Sequence, residues 1–164
     1  MPLGGCSIAR EAEAKAKYGE KLHIAAFGVV EEKTKIRVVH DGSNGVHINQ
    51  GIKVMDQMRC PGAAEVCTIM KARAEKGLRV FAVLGDVSKV HRRVKVREAD
   101  WWYQACQLEP GLVLLNTVGT YGMGSAAYWW GRRAAAVIVR LPPYLPFPDV
   151  LAEILLYVDD LLFL

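Results

Sequence analysis

The chain has 164 residues, 52% of them hydrophobic, which suffices for one well-buried domain and leaves room for a small attached lobe. Its net charge of +4 mildly favours an anionic partner, and its four cysteines show no C-x-x-C spacing, which argues against a zinc site. Residues 1–19 lack the apolar core of a signal peptide and no apolar stretch is long enough to span a membrane. We therefore expect an intracellular protein, nuclear or cytoplasmic, with no membrane partner.

The N-terminal segment predicts a helix followed by a hairpin. Residues 10–18 are rich in Ala, Glu and Lys, a composition that favours a short solvated helix. Residues 22–30 and 35–40 are rich in strand-forming residues, and the charged residues 31–34 between them are typical of a turn. Residues 41–45 (DGSNG) then end regular structure.

The middle of the chain predicts a helix, a strand and a basic segment. A second helix is expected over residues 63–76, ended by Gly77. Residues 78–84 form an apolar run with one Arg, typical of a buried central strand, and Asp86 lies at its exit. A further helix is expected to carry Lys89, Arg92, Arg93 and Lys95. A solvated face usually explains such a basic run, and contact with nucleic acid phosphates is the alternative.

The C-terminal part predicts two hairpins around a third helix. Residues 103–108 and 112–118 flank a Glu-Pro-Gly turn, and a helix is expected over residues 125–140. The proline-rich residues 142–148 predict an extended linker. Two short strands, Ile154–Tyr157 and Leu161–Leu164, then surround the turn Val158-Asp159-Asp160. Helices and strands alternate with several hairpins, so the predicted class is α+β.

Three acidic residues lie at strand ends within apolar runs. Asp159 and Asp160 repel each other in a tight turn between buried strands, so we expect a cation to bind them. Divalent hard cations such as Mg²⁺ prefer carboxylate oxygens. If the strand that ends at Asp86 lies beside this hairpin, three carboxylates converge, as two-metal phosphoryl transfer requires. The alternatives are an exposed hairpin turn for the pair and a helix N-cap for Asp86.

Four blocks of the chain, in this order, resemble the fingers and palm of retroelement reverse transcriptases. They are KIRVVHDGS (residues 35–43), LGDVSKVH (84–91), YGMGSAAYWWGR (121–132) and YVDD (157–160). The resemblance implies an RNA-directed DNA polymerase, a nucleotidyltransferase of the retrotransposon type. The implied fold is a right-hand polymerase palm, an antiparallel sheet with helices packed on one face, with partial fingers.

The resemblance also implies a division of the chain. Residues 1–21 would be a helical extension, residues 22–77 the fingers portion and residues 78–164 the palm portion. The chain stops four residues after the YVDD turn, before any thumb, so we expect it to be part of a larger polyprotein. The implied partners are an RNA or DNA primer–template and deoxynucleoside triphosphates.

Site residues are carried over from the resemblance position by position. The catalytic residues would be Asp86, Asp159 and Asp160, which together with Val87 would hold two Mg²⁺ ions, or Mn²⁺ in their place. The nucleotide would be bound by Lys33, Lys35, Arg37, Ser88, Lys89, His91, Tyr121 and Gly122, and the template by Gly122, Ser125 and Ala126. His91 falls where the family usually has an aromatic ring that excludes a 2′-hydroxyl.

Two other functions remain open from the sequence. The chain could be a truncated or decayed copy that binds nucleic acid without polymerising, or an RNA-binding α+β module whose acidic turn is incidental. Metal-dependent primer extension separates the polymerase from both.

Overall fold

The computed structural model describes residues 5–33, 36–56, 59–80, 82–141 and 153–164. The described residues form helices and three sheets, so the predicted α+β class is confirmed. The chain divides into two compact units, and each unit combines two separate segments. The first unit comprises residues 1–55 and 91–127, and the second comprises residues 56–90 and 128–164. These boundaries differ from the chain-order division at residues 21/22 and 77/78, which stays a prediction about fingers and palm.

The first unit contains a four-stranded sheet, a two-stranded hairpin and short helices. Its elements are β1 Cys6–Arg10, α1 Glu11–Tyr18, β2 Ile24–Ala25, β3 Phe27–Glu31, β4 Ile36–His40, α2 Ile48–Gly51, β6 Ala105–Glu109 and β7 Leu112–Asn116. The larger sheet has the order β1-β7-β6-β2, with β2 parallel to β6 and the other pairs antiparallel. Strands β3 and β4 form the antiparallel hairpin.

Most of the predicted elements of this unit are confirmed, and one strand was missed. The helix over residues 10–18 and the two hairpins are present. Gly111 closes the β6–β7 turn with φ +82°, a conformation that glycine adopts readily. Strand β1 was not predicted, because its five residues carry little periodic signal and are held by pairing with β7. The larger sheet also includes one parallel pair, β2 with β6, which was not predicted.

The core of the first unit is built from small and branched residues between α1 and the larger sheet. Ala14, the one buried residue of α1, packs with Ala105, Val113 and Leu115. Trp101 is among the half-buried residues that cover this cluster. Alanine on both sides lets the short helix approach the sheet closely, so a solvated helix still contributes to the core.

A buried polar pair joins the end of β4 to β6. The side chain of His40 is 2% exposed, and its Nδ1 atom lies 2.9 Å from Sγ of Cys106. Burial lowers the pKa of His40, an effect that the neighbouring Asp41 carboxylate partly opposes. Burial also raises the pKa of Cys106 to about 12. Both groups are therefore neutral at pH 7.

This pair should make the chain less stable in mild acid. The pKa of His40 in the folded chain lies below its usual value of 6.5. As the pH falls below 6.5 the unfolded chain binds a proton that the folded chain does not, so the free energy of unfolding falls, by at most about 1.4 kcal/mol per pH unit. Urea denaturation from pH 7.5 to 5 should show this loss. The His40→Gln variant should show less of it, although Gln is itself destabilising at this site.

The exposed His47 provides the matched control for His40 within the same unit. His47→Gln should leave the pH dependence unchanged. Hydrogen bonds from Asn44 and Ser43 lower the pKa of Asp41 from 3.8. Protonation of the Asp41 carboxyl therefore reduces the stability of the chain only at a pH below this range. An unaltered loss of stability between pH 7 and 5 in His40→Gln would show that His40 is not its source.

The second unit is a three-stranded antiparallel sheet with two helices. Its elements are α3 Ala63–Glu75, β5 Val83–Asp86, most of α4 Ala126–Arg140, β8 Ile154–Tyr157 and β9 Asp160–Phe163. The sheet order is β5-β9-β8. Its core cluster consists of Val90 with Trp130 and Ala134 of α4, covered by Val87 and Leu156. None of the helices that the structure describes is long and apolar enough to cross a membrane.

The helices and the final hairpin of this unit are confirmed. Helix α3 ends as predicted, with Gly77 at φ +69° and its N–H donating to the carbonyl of Ala74 at 2.9 Å. Helix α4 begins one residue later than expected. Asp160 belongs to β9 instead of the turn. The predicted linker over residues 142–148 lies outside the described residues.

Two predictions for the segment around Asp86 are wrong. The strand is not central but lies at the edge of its sheet, and Val83 and Leu84 are 55% and 71% exposed. A continuous apolar run predicts a strand with other elements packed on both of its faces. Among the described residues no such packing buries Val83 and Leu84. The long basic helix after Asp86 is instead a 3₁₀ helix over Val90–Arg93. Lys89 precedes it at φ +56°, and Lys95 after it forms an isolated antiparallel bridge with Val118.

Candidate carboxylate site

Two of the three predicted catalytic residues face each other across a pair of strands. Strand β5 ends at Asp86 and strand β9 begins at Asp160, and the two residues are directly opposite in the antiparallel register. Side chains opposite each other point to the same face of a sheet, with Cβ atoms about 5 Å apart. The two carboxylates are therefore neighbours on one face at one end of the sheet.

Asp159 lies at the same end of the sheet, in the turn between β8 and β9. The backbone N–H of Val87, the residue after Asp86, donates to the carbonyl oxygen of Asp159 at 2.9 Å. This hydrogen bond continues the β5–β9 pairing by one step into the turn. The structure thus places the backbone of Asp86, Val87, Asp159 and Asp160 at one end of this sheet. The expected cluster of three metal-binding carboxylates is not found among the described residues.

The turn has an unusual backbone conformation. Val158 has φ +54°, in the left-handed region that branched residues rarely adopt, at a cost of about 1–3 kcal/mol. Its carbonyl oxygen accepts a hydrogen bond from the indole Nε1–H of Trp130, at 2.5 Å. This contact between Trp130 and the turn was not predicted from the sequence.

Asp86 and Asp160 present carboxylate oxygens, the ligand type that Mg²⁺ prefers. Like charges directly opposite each other in a sheet are destabilising, and a divalent cation would relieve this repulsion. Within the described ranges, however, no group of three or more His, Cys, Asp or Glu side chains is arranged to hold a metal ion. Mg²⁺ is commonly bound by one or two carboxylates, with water and substrate phosphates as its other ligands. The arrangement therefore suits a metal that arrives with a phosphate-bearing substrate.

The glycine-containing loop of the first unit is held against the end of β4. The backbone N–H of His40 donates to the carbonyl of Tyr121 at 3.0 Å. Gly122 has φ +93°, and a Cβ at this position would lie 1.9 Å from the carbonyl oxygen of His40. Glycine is therefore required here by the fold of the loop itself, and the contact of Gly122 with the template stays a prediction.

Asn49 fastens the same loop and was not singled out from the sequence. Its Nδ2 donates to the carbonyl of Gly122 at 2.7 Å, and its Oδ1 accepts from the N–H of Gly124 at 2.8 Å. The Nδ2 atom also donates to Oγ of Ser43 at 3.0 Å. One amide thus bridges the DGSNG segment and the glycine loop, a link between two motifs that no local pattern indicates.

The predicted phosphate-binding cations lie on the β3–β4 hairpin. Arg37 forms an ion pair with Glu32 across the hairpin, Nε to Oε1 at 2.8 Å, and its side chain is 45% exposed. Lys33 is exposed. Lys35 lies outside the described residues. The guanidinium of Arg37 is accessible but already has a carboxylate partner, which a bound phosphate would have to displace.

The other predicted nucleotide and template residues are divided between the units. Ser88 and Lys89 follow Val87 in the second unit. His91, Tyr121, Gly122, Ser125 and Ala126 belong to the first unit, as do Lys33 and Arg37. The rings of His91 and Tyr121 meet edge to face, with centroids 4.9 Å apart. That these residues surround one nucleotide together with the carboxylates stays a prediction.

Comparison with known proteins gives a match by structure. No protein-family model matches this chain, and no curated protein matches it. A foamy viral protease-reverse transcriptase, solved in complex with double-stranded DNA, superposes with a TM-score of 0.62 at 15% sequence identity. The match covers 96% of this chain and 23% of the viral chain, so this chain spans less than a quarter of that protein's length. The fold is therefore reverse-transcriptase-like.

Proposed function

We propose that this chain is the fingers and palm portion of a retroelement reverse transcriptase, an RNA-directed DNA polymerase. The observation that carries the proposal is the pairing of Asp86 with Asp160 beside the Asp159 turn, within a reverse-transcriptase-like fold. Two acidic residues directly opposite each other in a sheet are destabilising, so the Asp86–Asp160 pairing favours a site that binds a cation over an incidental acidic turn.

In this proposal the carboxylates at the end of the second unit's sheet hold Mg²⁺. The residues are Asp86, Asp159 and Asp160, with the Val87 carbonyl as a further oxygen ligand. Bound Mg²⁺ would supply charge neutralisation at the phosphates and a more acidic primer hydroxyl. The protein's own part is to orient these oxygen ligands, and the pairing of β5 with β9 keeps Asp86 and Asp160 in a fixed relation.

We assign nucleotide binding to the cationic and small residues that the resemblance implies. Arg37 would exchange its ion pair with Glu32 for bidentate contact with phosphate oxygens, assisted by Lys33 and Lys35. The segment of Ser88 and Lys89 would face the phosphates through its backbone. His91 would lie beneath the sugar, Tyr121 and Gly122 beside the base, and Gly122, Ser125 and Ala126 near the template.

The proposed partners are a primer–template and deoxynucleoside triphosphates. We further propose residues 22–77 as fingers and residues 78–164 as palm, within a longer polyprotein. The viral neighbour was solved with double-stranded DNA, which supports a nucleic acid duplex as the partner of this fold. The net charge of +4 agrees with a polyanionic partner.

The proposal predicts metal-dependent primer extension, which should be weak in the isolated 164-residue chain. With enzyme in excess over an RNA template and DNA primer, extension should occur with Mg²⁺ or Mn²⁺. It should stop when EDTA removes the metal and resume when Mg²⁺ is restored in excess, because the carboxylates cannot neutralise phosphate charge by themselves. Single-turnover conditions are needed because duplex binding that relies on exposed Lys and Arg is weak and salt-dependent.

The outcomes of this experiment separate the three functions. Duplex binding and metal binding without extension would favour a truncated or decayed copy. RNA binding that ignores divalent metal, with no extension in either metal, would favour an RNA-binding module. Extension that persists in EDTA would contradict the proposed mechanism.

A further inference from the structure

We propose that Trp130 is a positioning residue for the carboxylate site, because its indole N–H holds the Val158–Asp159 peptide in place. This inference rests on the proposed function for its catalytic meaning, but its structural content can be tested without polymerisation. Trp130 is distant in sequence from both carboxylate blocks and belongs to helix α4. No resemblance assigned it a role.

The first step of the argument is the backbone of the turn. Val158 is a β-branched residue at φ +54°, a conformation that persists only where neighbouring contacts hold it. The carbonyl of Val158 belongs to the peptide that leads directly into Asp159. Whatever fixes that carbonyl therefore also fixes the orientation of the Asp159 backbone.

The second step is that two successive carbonyls of the turn are held by donors from two different elements. The indole of Trp130 donates to the carbonyl of Val158 at 2.5 Å, and the Val87 N–H donates to the carbonyl of Asp159 at 2.9 Å. The Val87 bond fastens the turn to the strand that carries Asp86. The Trp130 bond fastens it to helix α4, so the helix takes part in setting the carboxylate geometry.

The third step is that Trp130 is a rigid donor. Its side chain is 6% exposed and packs with Val90 and Ala134, while Val87 and Leu156 cover the cluster. A ring enclosed in this way cannot rotate without disturbing the core, so its N–H keeps one direction. The adjacent Trp129 is 55% exposed and contacts Tyr128 edge to face, so it lacks such enclosure.

The main test is Trp130→Phe, which removes the N–H donor and keeps an aromatic ring in the core. Amide hydrogen exchange of Val87 reports whether the turn stays fastened to β5. Titration with Mn²⁺, followed by the electron paramagnetic resonance of the free ion, reports the carboxylate geometry. Trp130→Phe should accelerate Val87 exchange by about tenfold and weaken Mn²⁺ binding by about tenfold, the usual effect of losing a group that orients metal ligands. Trp129→Phe, the matched control, should change neither.

A second variant separates the hydrogen bond from the packing of the ring. Val158→Gly removes the side chain that makes the left-handed conformation costly. The turn should then keep its conformation with less dependence on the hydrogen bond from Trp130. In the Val158→Gly background, Trp130→Phe should therefore weaken Mn²⁺ binding by less than threefold. Tenfold weakening in both backgrounds would overturn the proposal. So would equal acceleration of the Gly85 and Val87 amides, because that pattern indicates general loss of packing.

The result also distinguishes this inference from the proposed function. A wild-type chain that binds Mn²⁺ tightly but extends no primer would contradict the polymerase proposal. The role of Trp130 would still be decided by Val87 amide exchange and Mn²⁺ affinity in Trp130→Phe. A wild-type chain that binds no Mn²⁺ would count against the metal site, and amide exchange alone would then decide on Trp130. Unchanged Val87 exchange and Mn²⁺ affinity in Trp130→Phe would refute the positioning role.

Discussion

Replacing Asp159 with Asn should lower the single-turnover rate of primer extension by at least about a thousandfold, which corresponds to about 4 kcal/mol of transition-state stabilisation. Asn has nearly the same shape as Asp but no negative charge, so a divalent cation loses a ligand while the turn keeps its backbone contacts. Binding of the primer–template duplex, measured by fluorescence anisotropy, should stay within about threefold of wild type, since phosphate contacts come from Lys and Arg.

Glu153 provides the matched control for this substitution. It is exposed, and it lies at the opposite end of the same sheet, where its backbone pairs with Leu164. Glu153→Gln should leave both extension and duplex binding unchanged. If Asp159→Asn extends primers at the wild-type rate, Asp159 is not a metal ligand. If extension and duplex binding fall together, the variant is misfolded.

The largest effect on folding is expected for Gly122→Ala. The added Cβ would lie 1.9 Å from the carbonyl oxygen of His40, and the residue has φ +93°, where a side chain is strained even in open space. Relief of the contact requires the loop to leave the end of β4, which breaks the hydrogen bond between His40 and Tyr121. We expect a loss of about 4 kcal/mol or more in the free energy of unfolding, measured by urea denaturation.

Gly111 separates the contact from the backbone strain. It has φ +82°, similar to Gly122, but a Cβ there would meet no atom within 4 Å. Gly111→Ala should therefore cost only about 1–2 kcal/mol, the ordinary penalty of a left-handed alanine. Equal losses for the two variants would mean that the loop shifts freely and that the close approach to His40 has no energetic weight.

Local signals in the sequence predicted the elements whose ends are marked by glycine or another turn residue. Helix α3 is followed by Gly77, and the β6–β7 hairpin closes at Gly111, each glycine in the left-handed conformation that its position requires. Strand β1 has no such signal, and it exists because β7 pairs with it along its whole length. The apolar run before Asp86 was misjudged for a related reason, since burial depends on which neighbours a strand acquires.

The residues of the candidate site likewise fall into those that local sequence predicts and those that it does not. Asp86 and the Asp159-Asp160 pair were recognisable because each lies beside a short apolar strand, and the register then places Asp86 opposite Asp160. Trp130 and Asn49 were not recognisable, because their partners lie 28 and 73 residues away in the chain. The local sequence around a tryptophan in an apolar helix, or an asparagine in a polar loop, does not indicate which distant carbonyl its side chain will bind.

The interleaving of the two units has a consequence for how the chain acquires its structure. Strand β1 pairs with β7, and the contact between Cys6 and Asn116 spans 110 residues. During synthesis β1 therefore stays unpaired until residues 112–116 have emerged, and contacts of such long sequence separation fold slowly. Because the second unit begins inside the first and resumes after it, no single cleavage between residues 56 and 127 releases either unit intact.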